Sequence, residues 1–145
     1  MSDMKNLDQI RAGNALEAGK KGFKGVNDGQ VVKKIPTMIR ENGLLGALAF
    51  AVERKDGKNG KPGDLKNPGH HGVFAAIVTH LAHPGIGKIG QQCTPEQFAQ
   101  WLTESEKATS ARLRDITSES LAYLNYLRRF AGKHHQGESH ADTNG

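Results

Sequence analysis

Seven histidines, one cysteine and a glycine-spaced hexapeptide are the parts of this chain best suited to chemistry. His80 and His83 stand three apart, with His70-His71 upstream and Cys93 downstream. Zinc needs three or four converging ligands. A lone cysteine and scattered acids supply no tidy set, so the histidines read as surface or capping residues and no metal or cofactor is expected. Gly85-Ile86-Gly87-Lys88-Ile89-Gly90 spells the dinucleotide fingerprint, but that motif works only between a strand and the helix it opens. Here a helical pattern precedes it and Gln91-Gln92-Cys93 follows, so a mobile loop is the better reading. No serine, histidine and aspartate constellation stands out, and Glu104, Glu106, Asp115 and Glu119 read as the solvated side of helices. No catalytic residue is nominated, and the chain does not read as an enzyme.

The cations point to a different chemistry, the binding of phosphates. Lys33 and Arg40 are seven residues apart, which separates them by only about 20° around a helix, and Lys34 flanks them. Arg128 and Arg129 project from the polar side of the last helix, with Arg112 and Arg114 upstream. The formal charge of +5 and pI of 9.4 suit a polyanionic partner without requiring one. The plain alternative is a solvated face plus cations at helix C-termini, which would account for Arg54, Lys55 and Arg129.

The element that must position these groups is Val31 to Arg54. Val31, Val32, Ile35, Met38 and Ile39 recur at helical spacing, with Lys33, Lys34, Thr37, Arg40 and Glu41 opposite. Pro36 should kink or restart this arm. Asn42-Gly43 then stops it, since glycine suits the left-handed position past a helix end. Leu44 to Val52 carries no polar side chain, and a helix apolar all round is buried all round. The expectation is a helical hairpin whose second arm is the core, with Leu48 and Phe50 fully buried.

Other helices are read around it. Asn6 caps a first, weakly striped helix, with Gln9 reaching back. Gly19 to Gly25 reads as a basic loop, and Asn27 or Asp28 caps the helix after it. Lys55 to Asp64 is a flexible surface loop by composition. Gly72 to His83 carries Val73, Phe74, Ile77, Val78 and Leu81 on one face and ends at Pro84-Gly85. Thr94-Pro95-Glu96 is a strong helix start, followed by Phe98, Trp101 and Leu102. The last helix runs from about Ser105 to Ala131, with Leu113, Ile116, Leu124, Leu127 and Ala131 on one face, and Gly132 ends it. The fold class is all-α: a compact bundle of about five or six helices. Residues 1–132 form a single domain and 133–145 a disordered tail with too little apolar surface to order itself.

Two of these segments carry a family resemblance. Lys33-Lys34-Ile35-Pro36, Ile39, Asn42-Gly43-Leu44 and Leu48-Ala49-Phe50 resemble the small helical subunit of the type III-B CRISPR–Cas (Cmr) RNA-guided effector complex. Thr117 to Ala131 resembles the same family's C-terminal signature: an aromatic, a leucine, two basic residues, phenylalanine and alanine. Tyr126 stands where the family usually has tryptophan, and 55–94 carries no part of the likeness. The resemblance implies a non-catalytic subunit, stacked in copies beside the other Cmr subunits, that helps hold guide and target RNA in antiviral defence. Lys33, Lys34, Arg40, Arg128 and Arg129 are its expected nucleic-acid-binding residues. Specificity would lie in base pairing, with protein contacts to backbone and shape.

The alternative is a free-standing nucleic-acid-binding regulator of helix-turn-helix type. Its recognition helix would be Leu44 to Val52, which has no residue able to read a base edge. One cysteine fits a reducing compartment, and the longest apolar run is about half of the roughly 20 residues a bilayer needs. A cytoplasmic location is the expectation.

Overall fold

The structure, a computed structural model, describes the backbone of residues 5–21 and 29–144 and the side chains of 5–21 and 30–131. The proposed caps Asn27 and Asp28, and the Gly22 to Gly25 part of the basic loop, lie outside the described residues. Five helices are seen among the described residues: α1 (Leu7–Lys21), α2 (Gly29–Val52), α3 (Pro68–Ala82), α4 (Pro95–Glu104) and α5 (Ser110–Asn144). Among the described residues there is no strand, only one isolated antiparallel bridge between Arg54 and Leu65.

The hairpin forms as its sequence dictates. Gly43 has φ +80° and ψ 163°, a region that only glycine enters without strain, and it divides α2 into two arms. Helical dihedrals run through Pro36, so the first arm neither restarts nor breaks there. The two arms then fold back on each other. His70 contacts Phe50 of the second arm and feels the charge of Lys34 on the first, whereas a straight helix would hold those two positions about 24 Å apart.

Around the hairpin the other helices bury the stripes read from sequence. Val31, Val32, Ile35 and Ile39 from the first arm and Leu44, Ala47, Leu48 and Ala51 from the second meet Val73, Phe74, Ile77, Val78 and Leu81 of α3. Phe98 and Leu102 of α4 and Ile116, Tyr123, Leu124, Leu127 and Ala131 of α5 complete the core. Helix α1 packs chiefly on α5. Gly19 lies at that crossing, where an added Cβ would come within 3.3 Å of the Phe130–Ala131 backbone. Gly19, Lys20 and Lys21 are therefore helical, not the start of a loop.

Capping follows local chemistry. Asn6 and Gln9 exchange side-chain-to-backbone hydrogen bonds of 2.8 Å, and Thr94 and Gln97 form the same reciprocal box ahead of Pro95. The last helix starts at Ser110, not Ser105, because the Ser105 hydroxyl accepts the Lys107 N–H and holds 105–108 as a turn. The Thr109 hydroxyl then accepts the Arg112 N–H. Gly132 does not end this helix, whose backbone continues to Asn144; Ala131 is the last described side chain in the core.

Both glycine-rich loops are tied to the body. Lys55 N–H donates to the Asp64 carbonyl at 2.8 Å and Lys66 N–H to Glu53 at 2.9 Å, closing the polar loop. In the second loop the N–H groups of Lys88 and Ile89 both donate to the Leu81 carbonyl, and Ile86 and Ile89 are buried. The segment expected to be a mobile loop is pinned by its two isoleucines. It sits between α3 and α4 with no strand before it, unlike a dinucleotide site.

One expectation about the core is overturned. Leu48 is fully buried, but Phe50 is 39% exposed. With α3 and α5 covering Leu44, Ala47, Leu48 and Ala51, the opposite side of the arm (Gly46, Ala49 and Phe50) is left facing solvent. An all-apolar run does not encode which of its faces turns inward.

Candidate nucleic-acid interface

The first arm of α2 presents Lys33, Lys34 and Arg40 on its exposed side, as its periodicity requires. Lys33 and Lys34 line a surface groove of about 370 Å³ with Thr37, Met38, Glu41 and Asn42; Arg40 lies outside that lining. Arg128 and Arg129 are exposed on α5, where Arg128 donates to the Asn125 side chain at 3.4 Å. Thus the two lysines share one groove, while the arginine pair belongs to a different helix.

Among the described residues four lysines and arginines pair with acids, and the five candidates share the lack of such a partner with others, including Lys55, Lys107, Arg112 and Arg114. Arg11 pairs with Asp8 and Glu119, Arg54 with Glu96, Lys66 with Glu53 and Lys88 with Asp115. Among the described residues, none of Lys33, Lys34, Arg40, Arg128 and Arg129 pairs with an acid. Arg54, read as a helix-end charge, instead joins α2 to α4 through Glu96, which also meets His71 Nε2 at 3.0 Å.

Two residues not nominated from the sequence meet between the second arm and α3. The rings of Phe50 and His70 meet edge-on, 5.0 Å between centroids and 72° between planes. Asn67 donates to the Phe50 carbonyl at 2.9 Å, fixing the second arm against the start of α3. Burial, then the Lys34 charge, lowers the His70 pKa, so this ring adds no charge of its own at neutral pH. The sequence carried no signal for Phe50, since in an all-apolar run a stripe through any face is equally complete.

A second polar constellation is buried, contrary to expectation. Glu119 is 4% exposed and His80 1%; neither a solvated acid nor a surface histidine describes them. Arg11 donates from Nε and Nη2 to the two Glu119 oxygens, both at 2.8 Å. His80 Nε2 lies 2.9 Å from Glu119 Oε2, its Nδ1 lies 3.0 Å from the Asn14 amide, and its ring stacks on Tyr123 at 4.2 Å. A neutral ring that donates from Nε2 and accepts at Nδ1 satisfies every partner. The spacing Ile116, Glu119, Ser120, Tyr123 did place Glu119 on the buried stripe, so its position was the available signal. A cleft of about 640 Å³ opens between α1 and α3 beside this group, lined in part by Asn14, Lys21, His71 and Thr79. Among the described residues, no three His, Cys, Asp or Glu side chains converge as a metal site would need.

Burial lowers the His80 pKa, outweighing the pull of Glu119. Burial pushes Glu119 up, but hydrogen bonds from Arg11 and His80 outweigh it and hold the carboxyl below its ordinary range. In both cases the unfolded chain binds the proton more readily, so acid destabilises. The His80 contribution is complete above about pH 6.5 and declines as pH falls below it; the Glu119 contribution follows below about 4.5. Denaturant unfolding between pH 8 and pH 4, in steps, should show stability falling from about pH 6.5 downward, with His80→Gln flattening the upper part. Stability that rises on acidification from neutrality would show that His80 is held protonated.

Residues 7–133 match the family model described as CRISPR-associated protein (Cas_Cmr5). No curated protein and no solved structure matches. The chain belongs to the Cas_Cmr5 family, as a Cmr5-type small subunit of the type III-B CRISPR–Cas complex.

Proposed function

We propose that this small subunit stacks in copies beside its partner subunits and helps hold guide and target RNA by pairing its cations with phosphates, as part of antiviral defence in the cytoplasm. The observation that carries this reading is the set of exposed cations with no acidic partner among the described residues, two of them side by side on one groove. Exposed cations without an acidic partner suit an external polyanion. No described helix is long and apolar enough to cross a membrane. The family's small subunit is non-catalytic, and holding RNA requires none of the acid–base groups an RNA-processing enzyme needs.

One copy reaches few phosphates, and nonspecific pairing in that number gives roughly 10⁻⁴ to 10⁻⁶ M affinity at physiological salt. Copies arrayed on one RNA act at high effective concentration, which makes weak individual binding useful. Isolated protein should therefore bind RNA weakly and lose it steeply as salt rises. The test is target-RNA affinity of the reconstituted complex across a salt series, with and without Lys33→Ala, Arg40→Ala, Arg128→Ala and Arg129→Ala together. The variant should fold normally, bind more weakly, and show a salt slope shallower by roughly 0.7–0.9 for each phosphate it no longer neutralises. Unchanged affinity and slope would assign these residues to protein contacts or to solvent, and the RNA-facing reading would be dropped.

A further inference from the structure

We infer that Phe50 is a stacking platform for an unpaired base of RNA, with Lys33 and Lys34 taking the phosphates beside it. The inference rests on the RNA-holding role proposed above and names the form of RNA taken: single-stranded, because a base inside a continuous duplex has no free face to offer. Phe50, Leu7 and Leu16 are the exposed large apolar side chains among the described residues, and Phe50 alone carries a ring. An isolated ring amid small residues is too little apolar surface for a stable protein interface. It is, however, the size of one nucleobase contact.

Its surroundings favour the same occupant. Gly46 and Ala49, also solvent-facing on the second arm, bring no bulk that would fend off a flat ligand. The ring is held by a T-shaped contact with His70, and its backbone by the Asn67 bond to its carbonyl, so little ordering remains to be done on binding. The charge of Lys34 reaches His70, and His70 touches Phe50, so the lysine and the ring belong to the same side of the molecule. A flat π surface flanked by positive charge is the combination by which single-stranded nucleic acid is held without sequence preference. A protein partner would have to bring acids to match the lysines and a socket to match the ring; one nucleotide supplies both a phosphate and a flat face.

The test uses the full chain and a short single-stranded RNA carrying 2-aminopurine, whose fluorescence is quenched when the base stacks, alongside the same RNA in duplex form. The parent protein should quench the single strand and not the duplex. Phe50→Ala should abolish quenching and weaken single-strand affinity roughly 5- to 150-fold, the loss of one base–aromatic stack at tenfold per ~1.4 kcal/mol. The salt slope should be unchanged, since stacking releases no counterions. Phe50→Tyr should restore both quenching and affinity. Lys33→Ala with Lys34→Ala should instead flatten the slope. If the lysine variant weakens binding while Phe50→Ala does not, stacking is overturned and the RNA-holding role stands. If neither variant changes binding, both fall. If Phe50→Ala leaves RNA affinity intact but weakens self-association or complex assembly, the ring belongs to a protein contact and the inference is overturned.

Discussion

Replacing Glu119 with alanine is expected to cost about 3 kcal/mol, the lower end of what removing one partner from a buried ion pair does. The lower end applies because Arg11 keeps 19% of its side chain exposed and can recover some hydration. His80 is fully enclosed and loses its Nε2 acceptor outright, so an unsatisfied donor is left in the core. For a chain of this length the melting temperature should fall by roughly 10 °C. Glu119→Gln, which keeps an acceptor but not the charge, should lie between variant and parent. Thermal melts of the three proteins at neutral pH decide the matter; an alanine variant that melts with the parent would mean Glu119 does not join α1 and α3 to α5.

The second large effect separates two phenylalanines that look alike in the sequence. Phe74, fully buried between α2 and the rest of the core, should cost about 3–5 kcal/mol when truncated to alanine. Phe50, 39% exposed, should cost under about 1 kcal/mol, as surface positions do. Urea unfolding of both variants gives the comparison directly. Equal losses would show that the second arm is more deeply enclosed than it is here, and would leave Phe50 unavailable to any ligand.

That contrast also shows what was legible in the sequence. Wherever apolar and polar residues alternate at helical spacing, as in Val31 to Ile39 or Val73 to Leu81, the buried face follows from the pattern alone. Helix starts at the Asn6–Gln9 box and Thr94-Pro95 and the break at Gly43 were legible too, whereas Gly132 proved not to be a stop. Leu44 to Val52 was legible as a helix but not in orientation, because nine consecutive apolar residues contain no contrast from which to read a face. Glu119 and His80 failed for the opposite reason. Each occupies a core register, but a charged or titratable side chain there is counted as solvated until its partner is known, and Arg11 stands 108 residues away from Glu119. The site shares that limit. Lys33 and Lys34 were legible as one exposed stripe, whereas the meeting of Phe50 with His70 depends on another helix arriving.

The 108-residue separation also sets an order of events during synthesis. Helix α1 is made before α2, α3 and α4, and the surface it packs on comes only after all three. At roughly 5–20 residues per second, Arg11 waits about 5–20 s for Glu119 to be made. The α2 hairpin and α3 can close meanwhile, since they are near neighbours in the chain and loop closure over short distances takes far less than a millisecond. During that wait α1 has no partner and, with a glycine at position 13 and few apolar residues, little reason to be helical. The nascent subunit is therefore expected to build its hairpin-centred body before α1 docks, with the docking against α5 coming late.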